Sequence, residues 1–186
     1  MSGPHLVTPH LVLRRMTLDD APSMHAVLSD PDAMRYWSTL PHSDLAVTEE
    51  WIGRTIASVA AGEGDDFAVL LNDTVIGKAG LWRSHEIGII LARQAWGRGL
   101  ASEALAAVIE RAFGQGVDHI VADIDPRNAA SIRLFEKLGF RYNGSEKDTV
   151  LLGDLWTDSV YLLLTPGGWS SRNQIRGSTL RPADHD

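Results

Sequence analysis

The sequence predicts a single mixed α/β domain, and three observations carry that prediction. Along most of the 186 residues, segments alternating every second residue trade places with segments of helical period. The sharpest change of period follows residue 91. There a strand-like run gives way to a helix whose Ala101, Ala104, Leu105, Val108, Ile109 and Ala112 share one apolar face. No internal repeat or linker divides the chain, and its length suits one core burying roughly 70% of the unfolded surface.

Each element follows from local signals. Residues 11–16 alternate as a first strand, ended by Thr17 and the pair Asp19-Asp20. A helix over residues 21–28 stops at Asp30-Pro31. Residues 32–41 carry Tyr36 and Trp37 and read as a further helical piece. A longer helix fits residues 44–60, closed by Gly62 and Gly64. Strands at 67–71 and 75–82 join as a hairpin through Asn72-Asp73-Thr74. The strand at 86–91 leads through a glycine turn into the long helix, which Gly114 and Gly116 end. A strand at 117–124 precedes a helix opened by Asp125-Pro126-Arg127-Asn128 and closed by Lys137 and Gly139. Two last strands fit residues 140–145 and 159–165. The domain spans residues 9–165, with residues 1–8 as an N-terminal extension. Residues 166–186, rich in Gly, Ser, Pro and Arg, are expected to be a loosely ordered C-terminal tail.

Composition narrows the function. With 44% hydrophobic and 22% charged residues the chain is an ordinary globular protein. Its net charge of −7 argues against nucleic acid as a partner, since phosphate-backbone binding needs a concentrated basic face. Cysteine is absent, which excludes disulfides, thiolate zinc sites and a cysteine nucleophile. None of the seven histidines lies in a pattern such as His-Glu-x-x-His, so no metal is expected. No Gly-x-Ser-x-Gly elbow exists. The polar start of the chain is no secretion signal, and no apolar run approaches the ~18 residues of a membrane span. The expected location is cytoplasmic, with no membrane partner.

The chemistry concentrates in Gln94-Ala95-Trp96-Gly97-Arg98-Gly99, between strand and helix. The first turn of a helix carries unpaired N–H groups and a partial positive charge. A Ser, Thr, Asp or Asn side chain usually caps them, and here two glycines stand instead. Their backbone can approach a ligand closely, which suits a pyrophosphate, although glycines also serve an ordinary tight turn. A nucleoside-triphosphate loop would need a Lys and a Ser or Thr that are missing. A dinucleotide turn would need a third glycine where Ser102 stands, and too little chain follows for the second half of a doubly wound sheet.

The pattern Gln94-x-x-Gly97-x-Gly99 after the strand resembles the cofactor signature of the GNAT superfamily of N-acetyltransferases. A second hallmark follows in Asn128-Ala129-Ala130-Ser131 and Phe135-Glu136-Lys137-Leu138-Gly139-Phe140. The layout is most similar to the branch containing the ribosomal-protein N-terminal acetyltransferases. The resemblance covers about residues 11–165. It implies a mixed, mostly antiparallel sheet splayed beside the strand at 86–91, with acetyl-coenzyme A (acetyl-CoA) as cofactor. The pantetheine arm would lie along Ile89, Ile90 and Leu91. Amides of Gln94, Ala95, Trp96, Gly97, Arg98, Gly99 and Leu100 would hold the pyrophosphate, with Arg93 or Arg98 adding charge.

Asn128 suits a helix N-cap and, in the resemblance, also faces the cofactor. Ser131 shares an apolar helix face with Leu134, Phe135 and Leu138, so its hydroxyl either bonds back to its helix or points at the cofactor sulfur. Many members of the family place a tyrosine where this chain has Phe135, which has no proton to give a departing thiolate. Ser131, or a water on it, is the substitute. Glu86 is the favoured base, acting through water, against the plainer reading of an exposed carboxylate. Weaker alternatives are His85, Asp123, Glu146 and Asp154. Acceptor contacts are expected from residues 34–51, foremost Tyr36 and Trp37. The implied function is direct acetyl transfer to a primary amine of a small molecule or a peptide N-terminus. A non-catalytic acyl-CoA sensor is the alternative that Phe135 leaves open. The resemblance also allows a homodimer.

Overall fold

The computed structural model describes residues 5–83 and 85–178. The chain lays down β1 (Leu6–Val7) and β2 (Val12–Arg14), then α1 (Ala21–Leu28) and α2 (Leu45–Ala60). An antiparallel meander follows in β3 (Asp65–Leu71), β4 (Thr74–Arg83) and β5 (Glu86–Leu91). Then come α3 (Leu100–Gly114), β6 (Ile120–Ile124), α4 (Ala129–Lys137), the hairpin β7 (Arg141–Leu152) and β8 (Leu155–Leu164), and α5 (Pro166–Ser178). The strands make one eight-stranded sheet in the order β1-β2-β3-β4-β5-β6-β8-β7.

Side-chain alternation divides the core into two layers. On one face Ile87 and Leu91 of β5 pack with Ala104, Leu105, Val108 and Ile109 of α3. On the other, Ala68 and Ile90 pack with Met24, Leu28 and Ile52 of α1 and α2. The β3–β4 hairpin turns through Asn72 and Asp73 at φ 48° and 62°, the paired left-handed residues of a tight two-residue connection. Asp44 starts α2 by accepting the Val47 amide at 3.1 Å.

The feature that positions the site is the junction of β5 and β6. They run parallel and meet at one register pair, Glu86 with Val121. Beyond it the strands diverge, and β6 continues in full antiparallel register with β8. The edge of β5 from Ile87 onward thus has no strand beside it on that side, and its backbone groups face a gap.

Several expectations need correction. Residues 32–41 form successive turns rather than a helix. Asp30 and Asp32 point their carboxylates to Arg93 (2.7 and 2.8 Å), and buried Met34 pins the segment inward. β7 is far longer than residues 140–145, because Glu146, Lys147 and Asp148 interrupt the apolar alternation without interrupting pairing. A register shift and Asp148 at φ 54° absorb the irregularity. β6 begins at Ile120 rather than at Val117. Within the expected N-terminal extension, Leu6–Val7 is an edge strand paired with β2. The expected loose tail instead begins as α5. Its Trp169 is buried in the core, and the indole donates to Glu110 at 2.6 Å. Residues 1–4 and 179–186 of the expected extension and tail lie outside the described residues.

Candidate active site

The glycine turn follows β5 directly. Gly97 and Gly99 adopt φ 70° and 80°, left-handed conformations that L side chains rarely take. Gly99 is the N-cap of α3 and supplies no side-chain hydrogen bond. Glu103 is the first residue of the helix to donate to a carbonyl, that of Gly99 at 3.1 Å. Among the described residues the amides from Gly97 to Ser102 therefore have no backbone acceptor. A Cβ built on either glycine would meet nothing within 4 Å, so the turn has open space beside both positions. Free amides, a helix dipole and open space together fit a pyrophosphate.

These groups border a cleft of about 550 Å³. Ile89, Ile90 and Leu91 supply the wall along the splay, Ala95, Trp96, Gly97, Gly99 and Leu100 the turn, and Asn128 and Ser131 the opposite side. Trp96 braces the turn, its indole N–H donating to the Leu91 carbonyl at 2.8 Å. The Asn128 side-chain oxygen caps α4 by accepting the Ser131 amide at 3.1 Å, and Asn128 itself borders the cleft. Among the described residues the Ser131 hydroxyl makes no bond back to its own helix, so it remains available in the cleft.

Gln94 and Arg98 are exposed and stand outside the cleft wall. Arg93 borders the cleft, but its guanidinium is held by Asp30 and Asp32, so it adds little positive charge. Phe135 is 3% exposed and packs edge-to-face on Phe140 with ring centroids 5.0 Å apart. It belongs to the core and does not line the cleft.

A second cavity, about 610 Å³, opens on the other side of Tyr36 and Trp37, which line both. Its walls include Trp51 and Trp82, and it is faced by Glu86 from the start of β5 and by Asp123 from near the end of β6. Burial pushes the Glu86 carboxyl above the usual glutamate value; the Trp82 N–H opposes this and the Asp123 charge adds to it. Burial also raises Asp123, against a hydrogen bond from Ser159 and with the help of Glu146.

Most of the groove's cations are already neutralised. Lys78 and Asp66, 2% and 3% exposed, pair at 2.5 Å beneath the floor, with the Lys78 ammonium 5.7 Å from the Trp37 ring. Arg54 pairs with Glu50 on α2. Asp125, which burial alone would raise, is held low by Arg127. Nothing local in the sequence marks Lys78 and Asp66 as a buried pair, because a lysine inside a strand reads as a solvent-facing residue. Asp123 stood there only as a weaker base. His85, another alternative, lines neither cavity.

A cleft made of free amides beside an unpaired strand edge, joined to a carboxylate-bearing groove, defines a coenzyme A-dependent transferase. The comparisons with known proteins agree. The acetyltransferase (GNAT) domain model matches residues 10–141, and the chain belongs to that family. It is similar to the uncharacterized N-acetyltransferase p20 of Bacillus licheniformis, 32% identical over 152 residues, covering 77% of this chain and 85% of the relative. It is also similar to the L-methionine sulfoximine/L-methionine sulfone acetyltransferase of Pseudomonas aeruginosa. The two are 30% identical over 171 residues, 82% of this chain and 92% of that one. Among solved structures, a ribosomal L7/L12 alpha-N-protein acetyltransferase in complex with coenzyme A shares the fold. Its TM-score is 0.79 at 18% identity, over 87% of this chain and 98% of that one. The chain is an acetyl-CoA-dependent acetyltransferase.

Proposed function

We propose that the enzyme acetylates a primary amine of a small molecule, by direct transfer within the groove that Tyr36 and Trp37 share with the cofactor cleft. One observation carries this reading: the two cavities meet at that pair, one bordered by unpaired amides and the other by Glu86. The named activity of the Pseudomonas relative, on an amino-acid derivative, points the same way. An N-terminal residue of a peptide is the other acceptor that direct transfer accommodates.

Bound acetyl-CoA supplies an activated thioester, from which the acetyl group passes to nitrogen as the thiolate departs. The protein's residues do the rest. Amides from Gly97 to Ser102 would hold the pyrophosphate, and the free edge of β5 would offer backbone partners to the pantetheine amides. A backbone N–H of Ile89, Ile90 or Leu91 would meet the negative charge that develops on the thioester oxygen. Glu86, through water, takes the proton that the amine must lose. The Ser131 hydroxyl, or a water on it, gives the leaving sulfur a proton, and the ordinary thiol pKa near ~8.5 makes that a light demand. With no cysteine in the chain, an acetyl-cysteine relay is excluded.

The test is thiol release from acetyl-CoA across amino acids, aminosugars, polyamines and short peptides. Turnover of one small amine well above the peptides supports the reading. Turnover of peptides alone transfers the role to a protein acceptor.

A further inference from the structure

Outside both cavities the fold assembles a cluster that no local spacing announces. His85 immediately precedes β5, while Asp118 and His119 lie on the connection from α3 to β6. The Val121 amide donates to the His85 carbonyl at 2.8 Å and fixes the two segments together. The two imidazoles stack with centroids 4.5 Å apart and planes inclined by 5°. Asp118 Oδ1 lies 3.2 Å from His85 Nε2 and 2.7 Å from His119 Nδ1. Donor atoms of all three side chains fall within 4.8 Å of one another.

Those distances matter. Two ligands bound at zinc-like lengths to a tetrahedral centre stand about 3.3 Å apart. The Asp118 oxygen thus already stands near that spacing from each ring, and the ring nitrogens lie within 4.8 Å of each other, so a turn of one stacked imidazole brings both lone pairs onto a common ion. We propose that His85, Asp118 and His119 form a surface site for a divalent transition-metal ion of the zinc, nickel and copper class. Two imidazoles and one carboxylate favour that class over magnesium and calcium, which take mostly oxygen ligands. The side chains are partly open to solvent, so an ion has a path in and water can complete its coordination. Binding releases whatever protons the ring nitrogens share with Asp118.

No histidine lies in a local metal-binding pattern, and His85 is far along the chain from His119. Folding removes that separation. The site is distinct from the transfer chemistry, since none of its residues lines either cavity. Its place gives it a mechanical role, because it lies beside Glu86–Val121, the pair joining β5 to β6. A bound ion cross-links the strand ends where the splay begins.

Tag-free protein stripped with a chelator is titrated with zinc chloride by calorimetry and then melted. A single saturable site is expected. At 100 times its dissociation constant, zinc should raise Tm by roughly 5–10 °C. His119→Ala and, separately, His85→Ala should abolish both responses, whereas His5→Ala retains them and magnesium or calcium elicits neither. Should one histidine variant fail to fold without metal, the other decides the matter. Titration without saturation, or a zinc response that survives both histidine substitutions, overturns the site.

Discussion

Along the cofactor cleft the groups on offer come from the backbone: free amides after Gly97, the bare edge of β5, and two glycines in left-handed conformations. Along the neighbouring groove, proposed here for the acceptor, they come from side chains on distant elements: Trp37, Trp51, Lys78, Glu86 and Asp123. The difference teaches what each half can tolerate. A backbone site survives most side-chain changes and fails when its dihedrals or its open space are lost. A side-chain site is sensitive residue by residue, and can be re-specified the same way.

The largest test of that contrast is Gly97→Asp, which puts a β-carbon on a left-handed backbone and a carboxylate against the pyrophosphate. Coenzyme A at 100 times its dissociation constant should stabilise the parent by about 2.7 kcal/mol. The variant should show no such gain and no measurable turnover. An undiminished melting shift with coenzyme A would move the pyrophosphate elsewhere.

On the acceptor side, Glu86→Gln should lower kcat/KM by ~10²–10⁴-fold while coenzyme A still binds normally. Near-parental kinetics would hand the proton to Asp123 or to solvent. Lys78→Met strands the buried Asp66 carboxylate and should cost ~3–5 kcal/mol, a fall in Tm of roughly 6–20 °C. A melting temperature within a degree or two of the parent would mean that the pair is not sealed from water.

Two smaller effects sharpen the contrast. Ser131→Ala should reduce kcat by roughly ten- to a hundredfold with coenzyme A affinity intact, the mark of a transition-state interaction. Full activity in the folded variant removes the proton-donor role. Arg98→Ala should weaken coenzyme A by less than about fivefold, since an exposed cation adds little beside the amides. A hundredfold loss would show that the turn binds through its side chain after all.

The same contrast explains what could be read from the sequence. Gln94 to Gly99, the helix face of α3 and the Asn128 cap are local patterns, and they come out at the expected residues. Within α3 only the first apolar contact shifts, Leu100 being buried where Ala101 is half-buried. The loop of Tyr36 and Trp37 reads locally as helical, whereas Arg93, far along the chain, decides its path by binding Asp30 and Asp32. Lys78 and Asp66 were invisible for a related reason, since neither looks buried until the other is beside it. The helical spacing puts Phe135 on the face of Ser131, and the structure keeps it there. That face borders the cleft at Ser131 and Leu134 and enters the core one turn later at Phe135, which packs on Phe140.

Trp169 redraws the practical boundary of the domain. Composition invites trimming the chain after residue 165, as one trims a floppy end before crystallisation. Such a cut would take away a buried indole, its bond to Glu110, and the Arg172 side chain that donates to the Lys137 carbonyl at 3.1 Å. The end of α4 would then face water where it now meets a neighbour. For anyone choosing where to attach a fusion partner, the first safe junction lies beyond α5.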